Sequence, residues 1–128
     1  MAEVGVSGAG ATVLLVEDDG RIASFVTRAL DALGHAPEWV ATGRDGLDRV
    51  AAGGVAVLVL DLGLPDMDGL DVLRTLRERG DDLPVIVVTA RNDVRDRERA
   101  TALGVVTYLR KPFALRDLLD AVHASVAV

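Results

Sequence analysis

Four short apolar runs in this chain lead into residues that could do chemistry. TVLLVE at 12–17 runs into Glu17, Asp18 and Asp19, VAVLVLD at 55–61 ends in Asp61, and PVIVVT at 84–89 ends in Thr89. The run at 105–109 is followed by Lys111 and Pro112. Brought together, Glu17, Asp18 and Asp61 would repel one another unless a cation sat among them, and an all-oxygen donor set suits Mg2+. No His or Cys stands at ligand spacing, which argues against zinc. A divalent ion and the Lys111 ammonium would together balance the three carboxylates. An ionised Asp61 in such a place is a nucleophile for a phosphoryl group. The ion, the lysine and the Thr89 hydroxyl would then stabilise the oxygens of the transferring group.

Lys111 is the one lysine among 14 basic residues, the rest being arginine. A compact ammonium on a flexible stem is a reason to keep lysine in a chain that otherwise uses arginine. Taken singly, each residue also has a structural reading. Acids after a strand suit the N-terminal dipole of a helix, Asp61 before Leu-Gly-Leu-Pro could be a turn residue, and Thr89 could cap a helix. The conjunction carries the chemical reading, because all of them fall at the same end of strands.

The elements that must position these residues alternate regularly. Strands are expected over 12–17, 55–61, 84–89 and 105–109, as short apolar runs of the kind buried in parallel sheets, with a weaker one over 35–41. Helices are expected over 19–33, 42–52, 70–79, 92–103 and 114–127. The first helix has Ile22, Phe25, Val26, Ala29, Leu30 and Leu33 on one face, and Gly34 closes it. Thr42 is the candidate N-cap of the second. The fourth is mostly charged, with only Val94, Ala100 and Leu103 as anchors. The fifth turns Leu115, Leu118, Leu119 and Val122 inward. Five βα units imply a parallel sheet with helices on both faces, a three-layer α/β fold. Pro37 removes a ladder donor and places the second strand at a sheet edge. The implied architecture is a flavodoxin-like, doubly wound five-stranded sheet of order 2-1-3-4-5, with ligands at the carboxyl ends of its strands.

Composition narrows the function classes. One domain over 12–128 is expected at this length, after a Gly- and Ala-rich tail over 1–11 that includes GVSGAG at 5–10. A glycine-rich dinucleotide loop would follow a strand, not precede the first one. The absence of cysteine excludes disulfides and fits a reducing, cytoplasmic location. No apolar run is long enough to span a membrane. A net charge of −6 argues against direct binding of nucleic acid by these residues.

The chain resembles the receiver domains of two-component response regulators over nearly all of 12–126. The motifs are VLLVEDD at 13–19, LDLGLPDMDGL at 60–70, PVIVVTA at 84–90 and YLRKPF at 108–113. Within the family it is most similar to receivers joined to winged-helix DNA-binding domains. The resemblance implies that Asp61 is the phosphoacceptor, with Asp18 the principal Mg2+ ligand and Glu17 acting directly or through water. It also implies that the backbone carbonyl of Gly63 is a further ligand and that Thr89 and Lys111 contact the phosphoryl oxygens. Tyr108 would be an aromatic switch, and the Lys111–Pro112 bond is expected to be cis. The implied donor is a sensor histidine kinase or a small acyl phosphate. The implied output is a conformational shift, carried to an attached or separate output domain or effector.

Some features depart from the family or invite other readings. Winged-helix receivers usually carry two acids before the switch aromatic, where this chain has Val106 and Thr107. Beyond Arg116 the last helix has no Arg or Lys. A monomer, or a dimer of a different kind, is therefore expected. A stand-alone receiver and a phosphorylation-independent pseudo-receiver remain alternatives, although the intact Asp18, Asp61, Thr89 and Lys111 set argues against the latter. An enzyme acting on a diffusible phosphate ester would need a general acid or base, and none is placed for it. Asp66-Met67-Asp68-Gly69 has a superficial likeness to a calcium loop but lacks the later acidic ligands. His35 and His123 stand alone, and Trp39, on the edge strand, is expected to be partly in the core.

Overall fold

The computed structural model describes residues 10–126. The order is β1 (Thr12–Val16), α1 (Gly20–Ala32), β2 (Ala36–Val40), α2 (Gly43–Ala51), β3 (Val57–Leu60), α3 (Gly69–Glu78), β4 (Val85–Thr89), α4 (Val94–Ala102), β5 (Thr107–Arg110) and α5 (Leu115–Val126). All four strand pairings are parallel and the sheet order is β2-β1-β3-β4-β5, the 2-1-3-4-5 arrangement expected of the alternating pattern. β2 does lie at an edge. Ala36 donates to the carbonyl of Ala11, so by alternation the nitrogen of Pro37 faces away from β1, where no ladder bond is lost.

The inner strands are continuous apolar runs because each contributes to two cores. Leu14, Val16, Leu58, Leu60, Val85 and Val87 pack beneath α2 and α3, with Leu47, Val50, Leu73 and Leu76. Val13, Leu15, Val57, Val59, Ile86 and Val88 pack on the other face against Ala23, Val26 and Leu30 of α1 and Leu118 and Val122 of α5. Caps set the helix starts. Thr42 caps α2 by accepting from Asp45, as its position predicts, while Asp19 and Asp68 cap α1 and α3.

The structure corrects some assignments. Phe25 and Leu33 are 54% and 59% exposed, and Val94 is 69% exposed. The apolar stripe on α1 is wider than the strip of sheet it covers, so the small Ala23 takes the contact and Phe25 lies on the flank. Val94 opens the first turn of α4, where Ala100 is the buried anchor. Trp39 is 48% exposed, sitting at the edge and not in the core. Strand and helix ends shift by a few residues; β5, expected over 105–109, begins at Thr107 with Val106 still donating to Val85. Most of the expected tail, residues 1–9, lies outside the described residues, as do 127–128. No helix among the described residues is long and apolar enough to cross a membrane.

Candidate functional site

The site forms where β1, β3, β4 and β5 end at the carboxyl rim of the sheet. Glu17 follows β1 directly, and its N–H donates to Val40 of β2 at 3.1 Å. Asp61 follows β3, its N–H donating to Val16 at 3.0 Å. Both side chains are buried, and Thr89 at the end of β4 is buried too. Lys111 Nζ bridges the two acids, 2.7 Å from Glu17 Oε1 and 3.0 Å from Asp61 Oδ2. The second oxygen of Asp61 accepts the Gly63 N–H at 3.0 Å, and that of Glu17 accepts the Asp19 N–H at 3.1 Å. Asp18 is exposed at the mouth. The Lys111–Pro112 bond is cis.

Buried charges need partners, and here the partners decide the protonation states. Burial pushes Asp61 up, but the Gly63 N–H, the Lys111 ammonium and the Thr89 hydroxyl outweigh it and hold the carboxyl below its ordinary range. Burial dominates at Glu17, with the Asp61 charge adding to it, and raises that carboxyl despite Lys111 and the Asp19 N–H. Lys111 loses solvation, yet its bonds to Glu17 and Asp61 keep it above the usual lysine value. The result is an ionised Asp61 facing a fixed ammonium. Glu17, Asp18 and Asp61 each offer an oxygen, and these lie within 4.8 Å of one another. An all-carboxylate set of this span fits a hard divalent cation. Such an ion would share Glu17 and Asp61 with Lys111.

Tyr108, expected to be a switch, has its ring buried, and its hydroxyl donates to the Arg91 carbonyl at 3.3 Å. The Arg97 guanidinium lies over the ring, 5.4 Å from its centroid. Arg91, in the loop after Thr89, was given no role by the sequence. Its N–H donates to Thr89 Oγ1 at 3.3 Å and its guanidinium makes a two-point bond to Asp68, at 2.9 and 2.7 Å. The loop of Asp61, the cap of α3 and the loop of Thr89 are thereby joined. Asp66 is spent differently: both its oxygens accept from the first N–H groups of α2, Gly43 at 2.8 Å and Arg44 at 2.9 Å. The acids of Asp66-Met67-Asp68-Gly69 are thus helix caps rather than a calcium loop. His35 and His123 stand at the opposite end of the sheet, against Gly10, Leu119 and Asp120. Trp39 comes to the rim, its Nε1 donating to the Glu17 carbonyl at 2.6 Å, a contact 22 residues apart that no local pattern announces.

A family model described as the response regulator receiver domain matches residues 13–123. The chain is 41% identical over 112 residues to the response regulator MprA of Mycolicibacterium vanbaalenii, covering 88% of this chain and 48% of the relative. The same identity and coverage of this chain, with 49% of the relative, hold for the protein of that name from Mycobacterium tuberculosis. The chain thus spans about half the length of these relatives. Among solved structures, the receiver domain of a Francisella response regulator superposes with a TM-score of 0.87 at 26% identity, covering 92% of this chain and 98% of that one. A CheY-like receiver domain protein from Methanospirillum hungatei gives 0.87 at 25% identity, covering 93% and 95%.

Proposed function

This chain belongs to the response regulator receiver domain family, and from that premise we propose that it accepts a phosphoryl group onto Asp61 with Mg2+ bound beside it. The observation that carries the reading is the buried Asp61, held ionised within an acidic cluster and met by Lys111 at 3.0 Å. An oxygen of Asp61 attacks phosphorus while the bond to the donor breaks. The donor is a phosphohistidine on a sensor histidine kinase, whose imidazole leaves, or acetyl phosphate, which releases acetate. Asp18, Asp61, Glu17 directly or through water, and the Gly63 carbonyl would hold the Mg2+, which would supply positive charge to offset that of the phosphoryl oxygens. Lys111 and Thr89 donate to those same oxygens. The chain itself supplies the groups for transfer from a small donor, and a kinase adds a reactive phosphohistidine and orientation.

Tyr108 and the Thr89–Arg91 loop carry the change outward, since Thr89 can hold Asp61 or the new phosphoryl group while Arg91 receives the tyrosine. The output is control of transcription through a DNA-binding domain, attached or separate, as the likeness to receivers of winged-helix regulators implies, and the setting is the cytoplasm. Intact-mass measurement with acetyl phosphate and Mg2+ tests the acceptor. Wild type should gain one phosphoryl group and Asp61→Asn none, because an amide is not a comparable nucleophile. Full labelling of Asp61→Asn would sink the assignment.

A further inference from the structure

The one tryptophan of the chain stands at the rim of the acidic site and is not among the groups that meet phosphate. Its placement follows from how the β1–β2 ladder ends. Pairing runs from Thr12↔Ala36 to Val16↔Val40, and one further backbone bond reaches Glu17, whose N–H donates to Val40. In a parallel ladder the Glu17 carbonyl would next accept from residue 42. There Thr42 has already left the sheet to cap α2. The missing donor is supplied by a side chain: Trp39 Nε1 reaches the Glu17 carbonyl at 2.6 Å. The far end of the indole, Cη2, lies 3.7 Å from where a side chain on Gly20 would begin. The ring therefore spans the loop 17–20, bonded to its first residue and packed against its last. Asp18 and Asp19 lie between.

We propose that Trp39 is a positioning residue for the metal-binding acids, holding the Glu17–Gly20 loop by its indole N–H in place of a ladder bond. The inference rests on the Mg2+ site of the proposed function. Ligand atoms misplaced by a few tenths of an ångström suffice to weaken a small ion that demands near-ideal geometry. Among the described residues the indole is the one donor found on the Glu17 carbonyl, no backbone N–H outside the regular elements reaching it. Loss of a hydrogen bond of ordinary worth predicts Mg2+ binding weakened about 3- to 10-fold in Trp39→Phe, which keeps a ring and removes the N–H.

Two measurements test this. In the first, Mg2+ affinity is titrated by calorimetry, and labelling by acetyl phosphate is followed against Mg2+ concentration. Trp39→Phe should raise the Mg2+ needed for half-maximal rate while leaving the rate at saturating Mg2+ within about twofold of wild type, a split that general destabilisation would not produce. In the second, which needs no variant, the single indole N–H resonance of the wild type is followed by NMR. It should exchange with water more slowly than free indole, despite a half-exposed ring, and should shift with the same midpoint as the backbone amides of residues 17–19 as Mg2+ is added. Wild-type Mg2+ affinity in Trp39→Phe, or an indole proton exchanging like free indole, would overturn the inference and leave the phosphoacceptor reading standing. A wild type that binds no Mg2+ would overturn both.

Discussion

Lys111 shows how much one side chain can be asked to do. Its ammonium touches Glu17 at 2.7 Å and Asp61 at 3.0 Å, and both bonds raise its affinity for the proton it carries. A guanidinium is as charged but planar and larger, and cannot sit at one point between two carboxylates. Lys111→Arg is therefore expected to remain folded and to lose about 10-fold or more in labelling rate, on the order of 1.4 kcal/mol in the barrier. Phosphate transfer at the wild-type rate, with the wild-type conformational response, would contradict the argument. The two acids beside it should also differ. Asp18 is exposed and, among the described residues, makes no side-chain bond that holds the fold, whereas Glu17 is buried and bonded to Lys111 and to Asp19. Asp18→Ala should weaken Mg2+ binding more than Glu17→Ala, and Glu17→Ala should cost more in thermal stability. Calorimetry with Mg2+ and thermal melting without it read the two effects separately.

At the scale of elements, the loop from Asp61 to Gly69 is the junction on which the site depends. A side chain on Gly69 would begin 2.5 Å from the Asp61 carbonyl oxygen and 2.5 Å from Leu62 Cα, backbone atoms that can shift only at a cost. Gly69→Ala should destabilise the domain by about 1–3 kcal/mol and slow labelling at Asp61, since relief must move the acceptor loop. Urea denaturation and the labelling assay check this together. Asp68 caps α3 through Leu70 N–H and holds Arg91 by two bonds. Those contacts, the Arg91 guanidinium foremost, keep its carboxyl below the ordinary value of 3.8. A depressed carboxyl stabilises the fold above its unfolded pKa and loses that contribution as pH falls through the folded one. Asp68→Asn keeps a good cap but removes the charge. The wild type should thus exceed Asp68→Asn in urea midpoint at pH 7, with the gap closing as pH falls below about 3.8, and the partly exposed pair limits it to ~1 kcal/mol or less. A gap independent of pH would show that the ion pair is not its source.

The whole molecule presents a face made of α4, β5 and α5 whose charges differ from those the family resemblance leads one to expect. Val106 and Thr107 stand where an acidic pair is usual, and Val94 and Val106 are 69% and 48% exposed on that face. Arg95, Arg97 and Arg99 are exposed on α4, and α5 offers Arg116 beside Asp117 and Asp120. Exposed ion pairs are each worth ~0–1 kcal/mol, so a face built on them needs several acting together. We expect no salt-bridged dimer on activation, but a monomer or a weak pair through the apolar centre. Light scattering of the beryllofluoride-activated domain at low and high salt checks this. A tight dimer that dissociates as salt rises would refute it, because screening weakens only charged contacts.

What the sequence by itself determined is the order of elements and the gathering of the site. Short runs such as VLVL and VIVVT, almost wholly apolar and rich in β-branched residues, suit strands covered on both faces, and the alternation with amphipathic segments leaves few ways to wind them. Once parallel, their ends lie on one rim, so Glu17, Asp18, Asp61, Thr89 and Lys111 meet without further instruction. Tertiary structure alone decided which apolar residues are covered. Phe25 and Leu33 share a stripe with Val26 and Leu30, yet the sheet is too narrow to reach them. It also decided the fate of polar residues whose partners are distant in sequence. Asp66 and Asp68 are two positions apart, and one caps α2 while the other caps α3 and holds Arg91. Trp39 reads as a partly buried edge residue until the end of the β1–β2 ladder leaves the Glu17 carbonyl for its indole to find. Local periodicity encodes which face a residue takes within its own element. It carries no information about a hydrogen bond made across 22 or 23 residues, because that bond exists only after the elements have packed.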